Sequence, residues 1–155
     1  MSVESNVTGT NVDSDRVVAS LNKLLRGELS AVDSYTQALE KLRDSAFIPD
    51  LTECRRSHEE RVALLRQQVV QFGGTPAEGS GPWGSFARVV AAGAKLFGEK
   101  AALGALEEGE DHGLKLYRGE MDKLDATARD VVQRSLLPEQ ERTHQVMSAI
   151  KHSIH

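Results

Sequence analysis

The chain aligns with itself. Shifted by 82 positions it matches Ala19 to Ala101, Leu21 to Leu103, Leu24 to Leu106, Gly27 to Gly109, Glu28 to Glu110, Tyr35 to Tyr117, Lys41 to Lys123 and Leu42 to Leu124. Eight identities in 24 ungapped residues, including the only two tyrosines of the chain, mark a duplicated segment. Such a chain must fold so that two similar halves face each other. Each copy then brings one glutamate, Glu28 or Glu110, to the same depth on an inward face.

The residues between the matches are those of helices. Aromatics make up only 5% of the 155 residues, β-branched runs are scarce, and Ala, Leu, Glu, Arg, Gln and Lys dominate, which predicts an all-α fold. A chain of this length can bury a core without disulfides or structural metal. The net charge of −4 is small and both signs are interspersed, so nucleic acid is not an expected partner. No apolar run reaches the roughly 18 residues of a membrane span, and Cys54 stands alone. A membrane is therefore not expected either, and a cytoplasmic setting is.

Apolar spacing sets the expected elements. Residues 1–12 are polar and aperiodic, and are expected to form a loose tail. A first helix is predicted over 13–44, with Val18, Leu21, Leu25, Glu28, Val32, Tyr35, Leu39 and Leu42 on one stripe. A second spans 50–73, from Pro49-Asp50 to Gly73-Gly74-Thr75-Pro76, with Cys54 and His58 facing inward. A Gly/Ser/Pro-rich crossover follows and carries a short helix over 85–97. A third long helix covers 99–124 and a fourth 126–153, where Pro138 is expected to kink or restart it. Two copied hairpins joined by a long crossover make a four-helix bundle with a pseudo-twofold axis.

Two buried carboxylates repel each other, and each is costly to desolvate. Glu28 and Glu110 must therefore be neutralised, by metal, by a cationic side chain or by protonation. Arg61, Arg142 and His58 are the cationic candidates. A guanidinium satisfies two carboxylate oxygens at once and can supply the charge of a metal in the same place. Tyr35 and Tyr117 are expected as core aromatics whose hydroxyls find polar partners. On the fourth helix Val132, Leu136, Glu139, Thr143, Val146 and Ile150 form the cleaner stripe, with Glu141 and His144 toward its edge.

The run from Leu21 to Leu29 with Tyr35 following resembles the first helix of bacterioferritins and other ferritin-like proteins. There the glutamate is an iron ligand, and the family pattern adds a second glutamate on helix 3 and Glu-x-x-His on helices 2 and 4. The resemblance implies Glu28, Glu110, Glu141 and His144 as ligands of iron or manganese. Counting back from Gly73-Gly74-Thr75-Pro76 places the helix 2 positions on His58, an unusual ligand, and Arg61, which has no lone pair to donate. From about Arg16 onward the chain resembles an uncharacterised bacterial ferritin-like four-helix-bundle family that carries a domain-of-unknown-function label.

Two functions follow as expectations. The first is a ferritin-like bundle with a degenerate metal site and a structural or regulatory role in bacterial stress physiology. The other is a di-iron or manganese carboxylate protein acting as ferroxidase, oxidase or peroxide reductant on an unknown small substrate. The crossover stripe of Phe86, Val89, Val90 and Phe97 exceeds what a monomer must cover, and a homodimer is expected through it.

Overall fold

A computed structural model describes the backbone of residues 2–154 and the side chains of residues 13–154. Every regular element among them is helical. Helix α1 spans Ser2–Lys41, α2 Ile48–Gln71, α3 Ser85–Phe97, α4 Glu99–Glu120, α5 Ala126–Val131 and α6 Leu137–Ser153. Helix α1 takes in residues 2–12, expected as a loose tail. Their side chains lie outside the described residues.

Local chemistry sets the ends of these helices. After α2 the Gly74 N–H donates to the Val69 carbonyl at 2.9 Å and the Gly73 N–H to that of Val70 at 2.9 Å. Gly73 supplies the left-handed residue this closure needs, at φ 81°, where a Cβ would be strained. The chain then runs so close to α1 that a Cβ on Gly74 would lie 2.4 Å from Cγ1 of Val18. The α1–α2 turn is tied to the start of α4 by the Ser45 hydroxyl, which donates to Glu99.

Helix α3 occupies the residues its amphipathic pattern predicts and stops at Gly98, φ 92°. Helix α4 tightens into a 3₁₀ turn at Met121–Lys123 instead of continuing to Leu124. Asp125 then caps α5, its Oδ1 accepting from the Ala128 N–H at 2.8 Å. Between α5 and α6 lies a π turn, Val132–Leu136, and α6 restarts with Pro138 in its first turn. The Leu137 N–H reaches back to the Val132 carbonyl across this wide turn, and the proline that follows has no N–H of its own to place.

Helix α1 is central, packing on α2, α3 and α4, while α4 also packs on α3 and α6, and α2 on α6. The core divides in two. One half gathers Leu21, Leu25, Leu65, Val69, Tyr117 and Leu136. The other gathers Tyr35, Leu51, Cys54, Leu103, Leu106 and Met147. On each long helix the residues between the halves are polar and buried: Glu28 on α1, His58 and Arg61 on α2, Glu110 on α4, Gln140 and Thr143 on α6. A sheet of hydrogen bonds crosses the bundle at that level.

Candidate functional site

The glutamates do meet, and a histidine stands between them. His58 Nδ1 lies 2.7 Å from Glu28 Oε1 and Nε2 lies 2.7 Å from Glu110 Oε2. A neutral imidazole has one N–H and can serve only one carboxylate. Burial, the largest influence on His58, opposes its charge, yet Glu110 and Glu28 together outweigh it and hold the pKa above its usual value. Both carboxyls are held below theirs despite burial, Glu28 chiefly by Arg61 and His58, and Glu110 chiefly by His58, at about 2. His58 is thus an imidazolium donating to two carboxylates.

The second cation stands alongside. Arg61 Nη1 is 3.2 Å from Glu28 Oε2, and the same nitrogen donates to Gln140 Oε1. Its Nη2 donates to Thr143 Oγ1 at 3.0 Å and to Ser57 Oγ at 3.2 Å. Thr143 in turn donates to Glu110 Oε1 at 2.7 Å, and Gln140 Nε2 donates to the same oxygen at 3.0 Å. The tyrosines cross over: Tyr35 donates to Glu110 at 2.6 Å, and Tyr117 donates to Glu28 at 2.8 Å. Burial, reinforced by those carboxylates, raises both phenol pKa values well above normal, so both keep their protons. Two anions face two cations, and the layer is neutral overall.

The network repeats the sequence repeat. The shift that carries Glu28 to Glu110 and Tyr35 to Tyr117 also carries Ser57 to Glu139, His58 to Gln140 and Arg61 to Thr143. Ser57 and Glu139 bond each other at 2.8 Å. Every one of these residues therefore has its mate in the layer or at its rim, where Arg142 offsets the charge of Glu139. The two halves differ in charge: α2 contributes two cations, and α6 contributes two neutral hydrogen bonders at the matching places.

The other expected ligands lie elsewhere. Glu141 is exposed. His144 is half-buried, 3.9 Å from Glu107 and 3.8 Å from Asp111, outside the network. The inward positions of α6 are Gln140, Thr143, Met147 and Ile150, so Glu-x-x-His sits one residue out of phase with the core. Arg142 faces outward too, pairing with Glu139 at 2.9 Å and Glu53 at 2.8 Å. Its hydrogen bond to Glu139 holds that carboxyl at about 2. Cys54 is buried, chiefly for which reason its thiol is pushed up to about 12, a poor state for a soft ligand.

The residues present do not fit a metal pair. His58 commits both ring nitrogens to carboxylates, and Arg61 fills a ligand position with a group that has no lone pair. Glu110 already accepts four hydrogen bonds from side chains, at Tyr35, His58, Gln140 and Thr143. Among the described residues no group of three or more His, Cys, Asp or Glu side chains is arranged to hold a metal ion.

The shifted pKa values fix a pH window. A raised His58 stabilises the fold fully below its usual 6.5 and loses that contribution as pH rises through the raised value. Lowered carboxyls stabilise it above their usual 4.5 and lose the contribution as pH falls, for Glu110 through about 2. Urea midpoints measured across pH should therefore be highest between about 4.5 and 6.5. A maximum displaced to alkaline pH would contradict a charged His58.

No helix among the described residues is long and apolar enough to cross a membrane. No curated protein and no solved structure matches the chain. Residues 16–123, from the first buried turn of α1 to the end of the 3₁₀ turn after α4, match the family described as a domain of unknown function (DUF2383), and the chain belongs to that family.

Proposed function

We propose that this is a ferritin-like bundle of two duplicated hairpins whose di-metal site has been replaced by a metal-free ion network, leaving a structural or regulatory protein of bacterial stress physiology. One observation carries the reading: His58 bridges Glu28 and Glu110 with both ring nitrogens at 2.7 Å. An imidazolium and a guanidinium supply two positive charges against the two carboxylates, in the place where metal would otherwise neutralise them. The pairing of every network residue with a mate 82 positions away supports the duplicated architecture. A family whose pattern is Glu-x-x-His on two helices would have His58/Arg61 and Gln140/Thr143 at those places.

The test is a metal count. The protein is loaded anaerobically with Fe(II) or Mn(II), desalted, and assayed by elemental analysis beside Glu28→Ala and Glu110→Ala. The expected result is substoichiometric metal in all three. Stoichiometric metal lost in both variants would establish instead the iron or manganese carboxylate oxidoreductase.

Self-association belongs to the same proposal. On α3, Val89, Leu96 and Phe97 are exposed, Phe97 to 79%, whereas Val90 is buried and Phe86 packs against Trp83 and His112. A second copy would cover the outer face of α3. Light scattering at micromolar protein should give a dimer mass, and Leu96→Glu should return the monomer.

A further inference from the structure

A cavity of about 50 Å³ lies between α1 and α4, with the ion network as its inner wall. Its existence follows from small residues on the facing helices. Gly27 and Gly109 occupy equivalent places just before the two glutamates, and Ala31 and Ala105 lie beside them. The crossover partly covers the outer end with Trp83 and Phe86, whose ring centroids are 6.3 Å apart. The Trp83 carbonyl accepts from Ser30 of α1 at 2.7 Å, so that cover is pinned to the helix beneath it.

We propose that this cavity binds a small uncharged molecule with an apolar body and a single hydroxyl. Size comes from the volume, which has room for about four water-sized groups. Charge comes from the inner wall: the network is already neutral, so a further ion would be desolvated with no counter-ion left for it. The hydroxyl comes from hydrogen-bond capacity. All four acceptor sites of Glu110 are occupied by side chains, whereas Glu28 Oε1 accepts only from His58 among the described residues. One lone pair remains for one donor. The remaining wall is mostly carbon, from Leu24, Leu106 and Leu116 among others, with Ser30, Ser34 and His112 between them, and suits an apolar body.

Trp83 is the only tryptophan of the chain and forms part of the cover, so its emission and indole N–H resonance report occupancy. The probes are 1-propanol, acetate and propylammonium, which share a size and differ in charge. The expected result is a saturable change at Trp83 and at the Gly27 and Gly109 amides with 1-propanol alone, with a millimolar Kd. Ala105→Leu, which fills the cavity, should abolish saturation, and Ala31→Leu blocks it from the other helix if the first variant is unstable. A response that is linear in wild type, that survives both substitutions, or that is matched by either ion overturns the proposal.

Discussion

Replacing His58 with leucine should destabilise the fold by about 3–5 kcal/mol, because it leaves two buried carboxylates with a cation between them removed. Arg61 still pairs with Glu28 at 3.2 Å, so the stranded group is mainly Glu110. That carboxyl then escapes repulsion only by taking up a proton, which raises its pKa above the usual 4.5. An acid whose folded pKa is raised makes the fold more stable as pH falls. The variant should gain stability as pH falls toward 4.5 from below the usual 6.5 of His58, a window in which wild type stays flat. Urea denaturation at several pH values measures both. A loss below about 1 kcal/mol, or parallel pH curves, would mean that the imidazolium bridge carries little of the charge balance.

A second large effect is a gain. If Gln140 and Thr143 are the pseudo-symmetric mates of His58 and Arg61, the combined variant His58→Glu, Arg61→His, Gln140→Glu and Thr143→His places Glu-x-x-His at the inward positions of both helices. It should bind two divalent ions per chain and become more stable by metal addition, as linkage requires of any ligand specific to the folded state. The control moves the second motif to the spelled one, keeping Glu141 and His144 and altering only α2. That control should bind less than the four-site variant. Equal binding would show that α6 presents Glu141 and His144 inward and that the 82-residue pairing has no structural force.

Much of this arrangement can be read from residue spacing. The α3 boundaries follow from an amphipathic stretch between two glycines, and the meeting of Glu28 and Glu110 follows from the duplication. His58 follows from the apolar stripe of α2, and Arg61 from the place where the ferritin-like resemblance puts a ligand. The errors lie on α6. There a motif spelled in the sequence, Glu141 to His144, competes with the stripe of Val132 and Leu136, and neither alone gives the inward pair. The π turn at Val132–Leu136 widens one helical repeat before Pro138, so phase cannot be carried from α5 into α6 at 3.6 residues per turn. The 82-residue shift carries phase across the π turn where helical periodicity does not. Applied to His58 and Arg61 it lands on Gln140 and Thr143, two uncharged hydrogen bonders interrupting a buried apolar stripe. The 40-residue length of α1 has no such signal, since its first turns carry no apolar periodicity.

The two apolar halves of the core are interchangeable in chemistry: leucines, valines and a tyrosine in each. Greasy surfaces of that kind tolerate sliding. Moving one helix along another by a turn, about 5.4 Å, exchanges leucine for leucine at modest loss. The polar layer does not tolerate it. The same displacement of α2 would set Cys54 or Val62 opposite a carboxylate and press His58 or Arg61 into hydrocarbon. The layer therefore acts as a vernier, fixing the longitudinal setting of α1, α2, α4 and α6. It also distinguishes the halves, since only α2 carries the cations. The chain thereby has one alignment to fold into rather than several.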